Sequence, residues 1–274
     1  MIFNISMKTT LLTTTLGLAL LTPTVASAME RLFTYSYETG TLNAGDLELE
    51  PWTTVSAGKE THFLRMDQRF EFELGITDRF QTAWYVHFRG ESKDVTDDSG
   101  QTTRTTKTAF KGVSLELKYQ FLDPVADVLG LALYTELYLQ PAETKVEAKL
   151  LLDKHIGDLV LVANLVGEYE LGFESPGATE GKTELYLTGG AAYRVTSAFA
   201  FGLEVRSKTE IPDGEGVETS VIHAGPALSY RTQKWWISGT LLPQVIAVGG
   251  ENAGRVDLEH ATQLEARLLI GLHI

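Results

Sequence analysis

The chain has 274 residues, no cysteine and a formal net charge of −13. Without thiols it forms no disulfide, thiolate metal centre or lipid-modified N-terminal cysteine. The acid excess argues against nucleic acid as a partner, and no Pro/Ser-rich linker divides the chain into domains.

From the N-terminus, Lys8 supplies a short positive region, residues 11–21 an apolar stretch, and Ala26-Ser27-Ala28 a cleavage site. Together they predict a signal peptide over residues 1–28 and a mature chain starting at Met29. The apolar stretch is shorter than the roughly 20 residues of a spanning helix. Residues 29–45 are expected to form an N-terminal periplasmic segment; 32–38 alternate in polarity, which also fits a short strand that does not span. A turn at Asn43-Ala44-Gly45 then opens a single unit over residues 46–274.

Within that unit apolar and polar residues alternate in stretches of about ten, the period of a strand with one greasy and one polar face. Leu47 and Leu49 oppose Glu48 and Glu50 in residues 46–54. In 63–75, Leu64, Met66, Phe70, Phe72 and Leu74 oppose Arg65, Asp67, Arg69, Glu71 and Glu73. Residues 79–89 set Phe80, Trp84, Val86 and Phe88 against Gln81, Tyr85, His87 and Arg89. Strands are then predicted at 110–121, 129–140, 145–155, 158–171, 183–195, 198–207, 219–231, 234–245 and 260–274. Pro226 blurs the pattern in 219–231.

Connections alternate between tight turns (76–78, 156–158, 195–197, 231–234) and longer polar loops (90–108, 173–182, 208–218, 249–259). Aromatic residues gather beside the tight turns: Phe80, Tyr119, Phe121, Tyr193, Phe199, Tyr230, Trp235 and Trp236. Short periplasmic turns, long outer loops and an interfacial aromatic girdle are the marks of an outer-membrane barrel. The expected fold is all-β: a transmembrane antiparallel up-and-down β-barrel of about 12 strands. Its location is the outer membrane of a Gram-negative bacterium.

Two stretches carry a resemblance. Leu264, Ala266, Leu268, Ile270, Leu272 and Ile274 form an apolar row that resembles the C-terminal assembly signal of outer-membrane proteins, which usually ends in Phe or Trp. This implies the barrel-assembly machinery as a partner. Residues 40–52 (GTLNAGDLELEPW) and 73–80 (ELGITDRF) are similar to motifs of a poorly characterised family of Gram-negative porin-like barrels. That resemblance implies fold and location, and offers no catalytic residue.

No cofactor motif occurs, and the six histidines are scattered without metal-ligand spacing. Ser220 and His223, the nearest approach to a lipid-hydrolysing pair, are expected on opposite faces of a strand, so an enzyme is not expected. Asp94, Asp97 and Asp98 lie in the longest outer loop without the spacing of a calcium loop. The polar face supplies the lumen candidates: Arg65, Asp67, Arg69, Glu71, Glu73, Arg89, Glu116, Lys118, Glu136, Glu168, Glu170, Glu184, Arg194, Glu204, Arg206, Glu265 and Arg267. Glu48, Glu50, Glu147, Lys149 and Asp153 share that face. Either these charges line a water-filled pore with a preference for cations, or they pair across strands and plug the barrel. The leading expectation is passive passage of small solutes. The alternatives are a closed barrel whose outer loops bind lipopolysaccharide or a partner, and an outer-membrane lipid-active enzyme.

Overall fold

A computed structural model describes residues 31–97, 99–173 and 179–274. The expected signal peptide, Met29 and Asp98 lie outside these residues. Twelve antiparallel strands close into one barrel: β1 (Leu47–Ala57), β2 (Phe63–Thr77), β3 (Phe80–Thr96), β4 (Thr102–Leu122), β5 (Gly130–Leu139), β6 (Glu143–Ile156), β7 (Leu159–Phe173), β8 (Thr179–Arg194), β9 (Phe199–Pro212), β10 (Thr219–Arg231), β11 (Trp235–Gly250) and β12 (Leu264–His273). Each pairs with its chain neighbours, and β1 pairs with β12 from Glu48↔His273 to Ala57↔Leu264, leaving no free edge.

The burial of this barrel is inverted relative to a water-soluble protein. Glu136 is 0% exposed and Lys118 1%, whereas Leu165 is 59% and Leu203 67% exposed. Charge turned to the axis and hydrocarbon turned outward is the pattern that lipid requires. Tyr119, Phe121, Tyr193, Phe199, Tyr230 and Trp235 all show on the outer surface beside the short turns. Trp236 does not belong to this girdle: it is buried, and its indole N–H donates to Glu48 at 2.5 Å.

Three expectations are corrected. Residues 90–108 are a continuation of the β3–β4 hairpin, paired out to Thr96↔Thr102. Composition concealed this, because a Thr-rich strand beyond the bilayer has no apolar face. A bulge helps: Phe110 and Val113 both face outward although three residues apart. Gly112 absorbs the extra residue at φ +108°, where a Cβ would meet the Leu139 carbonyl. Second, β12 begins at Leu264, and residues 251–263 form a loop that dips inward at Asp257. Third, the segment from Arg31 to Thr39, expected in the periplasm, lies buried within the barrel.

Candidate lumen site

The inner face divides into two halves. In the half nearer the short turns, the N-terminal segment crosses the interior. Its backbone has no strand partner, so the wall supplies side chains instead. Glu204 of β9 accepts the N–H groups of Thr34 (3.3 Å), Tyr35 (2.9 Å) and Ser36 (2.6 Å). Asn164 of β7 accepts from Tyr37 N–H (2.6 Å) and donates to its carbonyl (3.0 Å). Asp153 of β6 accepts from the Thr39 hydroxyl (2.7 Å), and Gln81 of β3 from Leu42 N–H (3.0 Å). Arg267 of β12 donates to the Thr34 carbonyl at 3.1 Å.

Side chains of the segment are matched as closely. Phe33 sits against Gly190 of β8, where a Cβ would come within 2.4 Å of its ring. Leu32 and Phe33 join Val160, Val162, Ala192, Ala200 and Ala227 in an apolar cluster. Tyr35 lies between Arg267 (3.8 Å from ring centre) and Arg206 (4.7 Å). Tyr37 lies between Arg31 (3.7 Å) and Lys149 (4.0 Å). Desolvated cation–π contacts of this kind are worth up to about 2 kcal/mol each. Glu38 accepts Leu32 N–H at 2.9 Å, folding the segment back on itself. Burial pushes the Glu38 carboxyl up to about 7, against that bond and nearby Arg31.

In the other half lies a vestibule of about 490 Å³, floored by Tyr35 and Tyr37. Many of its charges are paired across strands. Asp67 takes Arg65 (3.1 Å) and Arg89 (2.5 Å), and Glu168 takes Lys145 (3.1 Å). Glu184 takes Lys182 (2.7 Å) and Lys208 (3.2 Å), and Glu265 takes Arg206 (2.6 Å). Lys and Arg outnumber Asp and Glu around it by eleven to eight. Between the halves, Glu136 accepts from Arg69, Tyr134 and Tyr138 (each 2.6 Å) and from Ser114 (2.5 Å).

Of the residues chosen from sequence, Arg65, Asp67, Arg69, Arg89, Glu168, Glu170, Glu184, Arg206, Glu265 and Arg267 line the vestibule. Glu71, Glu73, Glu116, Lys118, Glu136 and Glu204 are buried below it, and Arg194 is half-buried at the end of β8. Missed were Arg31, Tyr35, Tyr37 and Glu38 of the segment, and Asn164. Their signal was the run that carries Leu32, Phe33, Tyr35 and Tyr37, more apolar surface than a free segment leaves in water. Ser220 and His223 are both buried, because two register shifts separate them. They do not pair: Ser220 meets the Thr209 hydroxyl at 2.7 Å and His223 the Thr262 carbonyl at 2.9 Å.

This architecture defines a twelve-stranded outer-membrane β-barrel of porin-like form. The chain belongs to DUF6662, a family of unknown function, matched over residues 25–274. Among proteins with curated descriptions, none matches it. Its fold is similar to that of the NanC porin, at 12% identity and TM-score 0.51, over 82% of this chain and 100% of that one. It is also similar to the KdgM porin, solved in complex with disordered oligogalacturonate, at 11% identity and TM-score 0.51, over 82% of this chain and 98% of that one.

Proposed function

We propose that the protein is a porin-like channel whose own N-terminal segment closes it, and that small solutes pass passively once the segment leaves the lumen. The observation that carries this is the segment itself. It is a strandless peptide held inside a complete cylinder by hydrogen bonds, cation–π contacts and the apolar packing of Leu32 and Phe33, below a vestibule on the long-loop side. With Arg31 withdrawn, the inner half presents Glu48, Glu50, Glu71, Glu73 and Glu116 against Lys118. That balance favours cations at the constriction, set against the surplus of Lys and Arg around the vestibule. The apolar row ending at Ile274 fits delivery by the barrel-assembly machinery.

Planar-bilayer recording of the refolded mature chain tests the reading. The full mature chain is expected to be mostly closed, and a chain lacking residues 31–42 to conduct steadily with cation preference. A folded but silent deletion variant overturns the channel, and anion preference overturns the selectivity. One observation favours a second reading, a closed barrel that binds lipopolysaccharide or a partner: the β3–β4 hairpin stands paired well beyond the other strands. Trimming residues 90–108 would abolish such binding and leave conductance unchanged.

A further inference from the structure

Beneath the segment, Glu50 of β1 and Glu71 and Glu73 of β2 bring one carboxylate oxygen each to within 4.8 Å of the others. The register forces this. Glu50 is directly opposite Glu71, Glu48 is opposite Glu73, and all four point to the same face. Like charges directly across a ladder repel, and here they are almost completely removed from water.

Each of the three is held in the same way. One oxygen takes a neutral donor: Trp52 Nε1 to Glu50 at 2.9 Å, Gln81 Nε2 to Glu73 at 3.1 Å, and the Tyr85 hydroxyl to Glu71. The other oxygen (Oε1 of Glu50, Oε2 of Glu71, Oε2 of Glu73) is buried and takes no donor from outside the acidic cluster. Neutral donors that orient carboxylates while leaving one oxygen of each unspent form the outer shell typical of a metal site. Fixed cations do not complete the balance. Arg31 faces Glu50 and Glu71, and Lys118 faces Glu73 and Glu116, so carboxylates remain in excess. A shared proton joins two oxygens; three converging ones call for a centre of higher coordination.

We infer that Glu50, Glu71 and Glu73 form a buried site for a hard divalent cation, calcium or magnesium. All-oxygen ligands suit these ions, and two oxygens about 2.4 Å from one ion lie no more than about 4.8 Å apart. The site stands whether or not the barrel conducts. Because it is enclosed, the ion enters as the barrel closes and exchanges slowly afterwards.

The test is to refold the full mature chain with calcium, magnesium or terbium, strip loose ions with chelator on a sizing column, and measure retained metal by mass spectrometry. About one ion per chain is expected to remain. Terbium emission excited through Trp52 should report it, the indole being hydrogen-bonded to Glu50. Glu71→Gln and Glu73→Gln should lose metal and emission while keeping the gel shift of a folded barrel, since each removes a repelling charge. Asp94→Asn, in the outer hairpin, should retain both. Should a variant fail to fold, wild-type protein refolded with and without chelator decides, its melting temperature falling without metal. No retained ion with unchanged melting would assign the cluster to shared protons, and undiminished binding in Glu71→Gln would place the ion elsewhere. Either result overturns the inference.

Discussion

The two halves of the lumen are built from one wall pattern and use it differently. Around the vestibule, inward charges answer one another: Lys208 bridges to Glu184 and Glu210, and Arg206 to Glu265. Around the segment, they answer a backbone: Glu204 holds three successive N–H groups, and Asn164 both donates and accepts. Paired side chains can exchange one partner for another, as Glu184 can between Lys182 and Lys208. A buried carboxylate bonded to three amides cannot, because every lost bond leaves an unsatisfied donor. On the proposed reading, closure therefore resides in the inner half.

The largest expected effect follows directly. Glu204→Ala leaves the Thr34, Tyr35 and Ser36 N–H groups without acceptors. Charge-assisted bonds to a buried group contribute about 1.5–3 kcal/mol each, so docking should weaken by ~3 kcal/mol or more. Single-channel recording should show the open fraction of the full mature chain rising at least a hundredfold. A Lys208→Ala change in the vestibule should alter open-state current and leave that fraction near wild type. Equal effects from the two variants would erase the distinction between the halves.

Much of the barrel was legible in the sequence, and the reason is periodicity. A lipid-facing strand must alternate, so Leu133, Leu137 and Leu139 opposing Tyr134, Glu136 and Tyr138 announce both the strand and its inner face. Legibility failed where that constraint lapsed. Residues 102–108 pair in water, where neither face needs to be apolar, and read as a loop. At Pro226 and Gly225 the pairing of β10 with β11 is interrupted between His223 and Ala227, and the blurred pattern there reported a true gap. The segment was illegible for another reason: its partners Glu204 and Asn164 are more than a hundred residues away, so nothing local reveals them. The charge surplus of the inner face was visible, but not that a peptide absorbs part of it.

A smaller effect distinguishes the halves by pH. In the docked segment the Glu38 carboxyl, buried beside Arg31 and Asp153, is raised from an ordinary 4.5 to about 7. The docked state thus prefers the protonated acid. Docking is firmest below about pH 4.5, loses strength as pH climbs toward 7, and is weakest above it, where both states are ionised. The open fraction should therefore rise between about pH 5 and pH 8, and Glu38→Gln should flatten much of that rise. A decrease with pH, or an unchanged slope in the variant, would remove Glu38 from the closure.

The smallest effect belongs farthest out. At the hairpin tip Arg104 donates to both oxygens of Asp94, at 2.9 and 3.3 Å, yet its side chain is 58% exposed. Salt screens such a pair, and ordering two long side chains cancels most of what attraction remains. The ladder from Glu91↔Lys107 to Thr96↔Thr102 holds the hairpin without it. Arg104→Ala should therefore shift neither the melting temperature nor the open fraction, as thermal denaturation in detergent and bilayer recording would show. If the variant instead opened the channel, the hairpin would have to fold back over the vestibule, and closure would be shared between the two ends of the barrel.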